Sequence, residues 1–199
     1  MPTSLYRVIY DLAEDQMGYI TTAQARTVGV SPMTLVMMKR RGTLERASHG
    51  VYHLDAYPVH PLGQYMQATL WPYDHPGVLS HETALSLYKL SDVDPPKVHI
   101  TVPANFRVRR AIPDYLEVHR GTLRPIEVTQ FEGMPITTVE RAFGDCIASH
   151  LGPALLVGAI EEARSRGLIT ADTAGKLEQQ LAQASAFFAT VVDCAFSRG

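Results

Sequence analysis

Ser80-His81-Glu82 is where the sequence first offers chemistry: a hydroxyl, an imidazole and a carboxylate that could serve as nucleophile, base and orienting acid. Their adjacency argues against that use, because catalytic groups meet through the fold and not as neighbours along the chain. Ser80 reads instead as a helix N-cap and Glu82 as a first-turn carboxylate favoured by the helix dipole. No catalytic residue and no enzymatic activity are expected, and His81 is retained as a candidate for partner contact. Two more imidazoles, His99 and His119, fall on the polar sides of two predicted strands and could meet across a sheet. A metal centre takes three or four ligands at settled spacing, and no Cys/His/Asp cluster in the sequence supplies the rest, so no metal ligand is assigned. The glycines are isolated turn residues with no phosphate-binding loop among them, and no cofactor is expected.

The run from Lys97 to Arg124 carries a different chemistry. Lys97, Arg107, Arg109, Arg110, Arg120 and Arg124 stand there against Asp114 and Glu117 alone. These cations are either the solvated face of an antiparallel sheet, paired with acidic residues of later helices, or a docking face for an acidic surface or a phosphate. On the second reading Arg107, Arg109 and Arg110 join His81 as candidate partner contacts.

The third constellation is the stretch Gly18–Leu54, GYITTAQARTVGVSPMTLVMMKRRGTLERASHGVYHL. Thr21 followed by Gln24 makes a capping box for a short helix, which ends at Gly29. Ser31 caps a second helix with Pro32 at its first position, and Gly42 stops it. Leu44–Ala47 and Val51–Leu54 are β-like runs joined through Ser48-His49-Gly50, a turn-forming sequence. The pattern predicts a helix-turn-helix with a hairpin wing, whose second helix turns Leu35 and Met38 inward. Such a unit places its second helix in a DNA major groove and its wing on flanking phosphate or minor groove. The candidate DNA contacts are Thr22, Ser31, Met33, Thr34, Met37, Lys39, Arg40 and Arg41 on the helices, and Arg46, Ser48 and His49 on the wing. Helix-turn-helix units also serve as packing or dimerisation modules, and Lys39-Arg40-Arg41 could be a solvated helix end. Residues 1–57 have a net charge of only +1, but their cations gather on the second helix and wing while Asp11, Glu14 and Asp15 precede them. Local asymmetry of this kind matters more to a phosphate backbone than the domain sum.

Positioning these groups takes two units. Residues 3–16 have apolar residues at helical spacing, and Leu5, Val8, Leu12, Val28, Leu35 and Leu44 are the expected core of a winged helix over 1–57. Asp55–Pro61 is proline-rich and marks the expected boundary, with a second domain over 58–199. That domain should begin with a helix at 61–71 and another capped by Ser80. Strands follow around Val98–Val102, Phe106–Arg109, Leu116–His119 and Ile126–Gln130, with Met134–Ile136 closing the sheet. Thr137 with Glu140 forms a capping box for the first C-terminal helix, and Thr170 starts a later one with Leu177 and Leu181 inward. Phe187, Phe188, Val191 and Val192 extend a last helix. The fold class is α+β, a winged helix-turn-helix followed by a mixed domain with a small sheet and a helical end.

Composition bounds the rest. The 199 residues carry a formal charge of −2 and are 46% hydrophobic, as in an ordinary globular protein with no general affinity for polyanions. Cys146 and Cys194 read as free thiols in a reducing compartment. The N-terminal residues lack the pattern of a signal peptide. No run approaches the ~18 apolar residues that cross a bilayer. No membrane partner and a cytoplasmic location are therefore expected.

Beyond these physical signals, the stretch at 18–54 resembles the N-terminal winged helix of the AbiEi family of antitoxins. VLSHETALSLYKLSDVDPPKVHITVPANFRVRR and GMPITTVERAFGDCI are similar to segments that follow it in that family. The resemblance covers about residues 5–170. It implies an antitoxin of a toxin–antitoxin system that represses its own operon and neutralises a nucleotidyltransferase-like toxin encoded beside it. The operator would be an inverted repeat bound by a homodimer, because one winged helix reads one half-site. Two other readings stay open: a stand-alone winged-helix transcription regulator, and an antitoxin that promotes covalent modification of its toxin.

Overall fold

The computed structural model describes residues 5–72, 75–90, 94–108 and 111–196, with side chains as far as Ala186. By internal contacts the chain forms two units, each discontinuous in sequence. The first comprises Met1–Leu79, Ile100–Thr122 and Gln130–Pro135, the second Ser80–His99, Leu123–Thr129 and Ile136–Gly199. Residues 58–79, which the sequence reading places in the second domain, group here with the N-terminal part.

In the first unit, α1 (Leu5–Glu14) buries Ile9 and Ala13. The chain turns out of it at Met17 and Gly18, both in the left-handed region. Gly18 has φ +86°, and a Cβ there would sit 2.7 Å from the His53 ring and the Tyr57 side chain, so glycine is required on two counts. The turn delivers β1 (Tyr19–Thr21), a strand too short to announce itself in sequence. Its partner is β3 (Val51–Leu54), in antiparallel register Tyr19↔His53 and Thr21↔Val51.

The predicted helix-turn-helix follows. In α2 (Thr22–Thr27) the capping box forms as expected: the Gln24 N–H donates to Thr21 Oγ1 at 3.1 Å, and the Thr21 N–H donates to Gln24 Oε1 at 2.9 Å. Ser31 Oγ accepts from the Thr34 N–H at 3.1 Å and starts α3 (Pro32–Arg40). β2 (Leu44–Ser48) pairs with β3, and a bulge between Arg46 and Ser48 leads into the turn at Gly50. The three strands run in the order β1-β3-β2.

The core of this unit is Ile9, Ala13, Ile20, Ala25, Val30, Leu35, Leu44, Tyr52 and Leu54, with Leu12 and Met38 packed against it. Three expected members are absent, among them Val8, which is only half-buried and lies outside the cluster. Leu5 is the first residue of α1 and is 44% exposed, while Val28 caps the end of α2 and is 39% exposed. Val30, on the far side of the Gly29 turn (φ +80°), is buried instead.

After the proline-rich segment, α4 (Gly63–Leu70) stays with this unit. It packs on β1, and Gln67 Nε2 donates to the Ala47 carbonyl at 3.2 Å. A second sheet has the order β6-β5-β4-β8-β7. Its strands are β4 (Val78–Leu79), β5 (Val98–Pro103), β6 (Leu116–Gly121), β7 (Val128–Phe131) and β8 (Met134–Thr137). The strand expected at Phe106–Arg109 does not form over its described residues. The Phe106 N–H closes a turn onto the Pro103 carbonyl at 2.8 Å, and its ring packs 6.2 Å from that of Trp71. The strand expected from Ile126 begins at Val128, because Pro125–Glu127 forms a 3-10 turn.

The second unit is helical. α5 (His81–Leu87) and α6 (Val139–Ala148) pack together, and α6 also contacts α7 (Pro153–Ser165) and α8 (Ala171–Phe196). Thr138, not Thr137, caps α6, accepting from the Arg141 N–H. Thr137 is still in β8 and fully buried, so the expected capping box with Glu140 is one residue out of step. Leu177 and Leu181 are buried along α8 as anticipated. The side chains of Phe187, Phe188, Val191, Val192 and Cys194 lie outside the described residues. Cys146 is a buried free thiol whose pKa burial pushes up, which leaves it unreactive. The fold is α+β, and no described helix is long and apolar enough to cross a membrane.

Candidate nucleic-acid interface

α3 is held by its inner face. Leu35 is fully buried and Met38 packs against the core, which turns Met33, Val36, Met37, Lys39 and Arg40 to solvent. The helix has Lys39 and Arg40 in its last turn and Arg41 as its C-cap, where cations are favoured by the dipole. The hydroxyls at its start are occupied: Ser31 Oγ lies 2.9 Å from Thr34 Oγ1 besides accepting the Thr34 N–H. Among the described residues, Lys39, Arg40, Arg41 and Arg46 form no ion pair with a carboxylate, so their charge is available to an outside anion.

The wing is organised around Arg46, whose Nη2 donates to His49 Nδ1 at 3.0 Å and whose Nε donates to the Ser48 carbonyl at 3.3 Å. Both Arg46 and His49 are exposed. Ser48 is half-buried, at the bulge. Thr22 ties α2 to the wing: its backbone N–H donates to the Gly50 carbonyl at 2.8 Å, and its hydroxyl reaches the same oxygen at 3.3 Å. The first unit thus holds the helix bearing Met33 to Arg41 and the hairpin bearing Arg46 to His49 on one core.

Ser80 and His81 do meet, with Ser80 Oγ hydrogen-bonded to His81 Nδ1 at 2.9 Å. Ser80 is the N-cap of α5 as expected, but its side chain makes no cap bond; its hydroxyl holds the imidazole instead. It is completely buried. His81, at φ +53°, is 8% exposed and has little surface to offer a partner. Its ring stands 5.9 Å from that of His99, a neighbour the sequence reading did not supply because α5 and β5 are joined by a long segment.

The basic run is not uniform. Lys97, Arg107 and Arg120 are exposed, and Arg109 and Arg110 lie outside the described residues. Arg124 is a clamp: its Nη2 donates to Glu127 Oε1 at 3.0 Å and its backbone N–H to Glu127 Oε2 at 2.7 Å. Arg141 adds a third bond to Glu127, at 3.2 Å, and binds Asp145 at 2.8 Å. The hydrogen bonds from Arg124, with the nearby Arg141 charge, lower the Glu127 pKa to about 2.

Residues 7–54 match the AbiEi antitoxin family. The matching family model is described as "Transcriptional regulator, AbiEi antitoxin". The match begins within α1 and ends with β3, so the matched segment is the helix-turn-helix and its wing, the part that carries the uncommitted cations. No curated protein matches the chain. Among solved structures, the fold is similar to one titled "Crystal structure of RV2827C protein from Mycobacterium tuberculosis", with a TM-score of 0.53 and 16% identity, over 95% of this chain and 82% of that one. At that identity the likeness speaks for the fold alone. The expected AbiEi resemblance holds over residues 7–54, and the α+β class holds.

Proposed function

We propose that this protein is an AbiEi-type antitoxin that represses its own operon through its winged helix and neutralises a nucleotidyltransferase-like toxin encoded beside it. The observation that carries the DNA-binding half is the group Lys39, Arg40, Arg41 and Arg46. These cations are exposed on a helix and wing that match a regulator family, and they are committed to no carboxylate. Phosphate contacts made by such side chains position a protein on a duplex, and the helix they frame reads the base edges. A homodimer on an inverted repeat would bring two such helices to two half-sites. The division of labour assigns DNA to residues 1–57 and the toxin to 58–199, with Arg107, Arg109 and Arg110 facing an acidic partner. The protein acts by binding, in the cytoplasm, with no cofactor. The experiment is a reporter driven by its own promoter, with the adjacent gene expressed in the same cells. The full chain should silence the reporter and restore growth. Silencing without rescue would favour a stand-alone regulator, and an added mass on the toxin would favour covalent modification.

A further inference from the structure

The N-terminal half of a recognition helix is the part that meets base edges in the major groove. In α3 that half has no side chain able to make a two-point hydrogen bond to a base. No Arg, Lys, Asn, Gln, Asp or Glu occurs from Ser31 to Met38. The two hydroxyls there, Ser31 and Thr34, are engaged with each other and with the helix cap. What faces outward is apolar. Met33 is 69% exposed, and Met37 and Val36 are also exposed. The first cation, Lys39, comes only after this stretch.

An apolar helix face framed by Lys39, Arg40, Arg41 and Arg46 fits a polyanion that displays methyl groups. In B-DNA that group is the C5-methyl of thymine, on the major-groove edge. We propose that Met33 and Met37 read thymine methyl groups, so that each operator half-site is A·T-rich under the start of α3 and the arginines hold phosphate. This inference rests on the DNA-binding reading above. Met33 and Met37 are four residues apart, one helical turn or about 6 Å along the axis. Base pairs rise about 3.4 Å each, so the two contacted thymines lie about two base pairs apart. Methionine is unbranched and adaptable, which suits contact with a methyl on either strand and yields modest discrimination.

The test uses the full chain and a fragment of its own promoter in which deoxyuridine replaces thymidine, removing the methyl group and no hydrogen-bonding atom. Affinity should fall about threefold to fourfold for each contacted thymine, as expected for one methyl returned to water. The salt dependence should be unchanged, because no phosphate contact is lost. The Met33→Ala/Met37→Ala variant should bind thymine DNA more weakly and show no further loss on uracil DNA, while Met33→Leu should keep the sensitivity. Arg40→Ala should weaken both fragments and retain the thymine-to-uracil ratio. Both methionines are exposed, so these variants should keep the wild-type melting temperature. Equal affinity of wild type for the two fragments overturns the inference and leaves DNA binding standing. Binding to neither fragment overturns both. A double alanine variant that binds DNA like wild type but loses protection against the toxin overturns it too, and gives the apolar face to a protein partner.

Discussion

Arg46 donates to His49 Nδ1 at 3.0 Å across the tip of the wing, and with its bond to the Ser48 carbonyl this sets the shape of the turn. The same guanidinium is exposed and bonded to no described carboxylate, so it both holds the wing and offers a charge. On the proposed DNA-binding reading, a wing cation of this kind touches phosphate or minor groove.

Arg46→Ala should therefore weaken binding to operator and to unrelated DNA by similar factors, and lower the salt slope by about one. Titration of both DNAs at several salt concentrations checks this. A loss confined to one base position would place Arg46 in the major groove instead.

The wing and the helix-turn-helix were legible from residues 18–54 because every signal there is local. The Thr21–Gln24 box, Ser31-Pro32, Gly29 and Gly42 each act within a few residues, and all appear where expected. What was not legible depends on distant parts of the chain. The strand β1 exists because Val51–Leu54 lies beside it, and Gly18 is needed because His53 and Tyr57 crowd it. Phe106 alternates like a strand residue but is spent on Trp71 after a turn. Thr137 and Thr138 are both good caps, and burial of Thr137 in β8 decides between them. At the site, the exposure of Arg40 and Arg41 followed from helical spacing. The His81–His99 pair and the occupied hydroxyls of Ser31 and Thr34 needed the fold.

The clamp on Glu127 predicts a pH dependence. Its pKa falls from the ordinary 4.5 to about 2, so its contribution to stability is fully present above pH 4.5 and is lost as pH falls through 2. Glu127→Gln should melt below wild type at neutral pH, and the gap should close as pH approaches 2. Thermal melts from pH 7 to pH 2 read both. A gap that stays constant to pH 2 would mean that the carboxylate charge contributes nothing.

For the proposed toxin contact, charge reversal of Arg107, Arg109 and Arg110 to Glu tests the basic run in the full chain. Like charges brought into desolvated contact cost several kcal/mol, roughly. Protection of cells from the toxin should be lost while promoter binding is kept. A folded triple variant that protects fully would make the run solvated surface.

The central claim is that α3 and the wing bind operator DNA, and Arg40 with Arg41 decides it. Purified full-length protein, wild type and Arg40→Ala/Arg41→Ala, is titrated against its own promoter fragment over a range of salt. Wild type should bind the fragment more tightly than unrelated DNA, and the double variant should bind at least tenfold more weakly with a salt slope lower by about two. If the double variant binds the promoter as tightly as wild type at every salt concentration, the recognition helix is misassigned and the account fails.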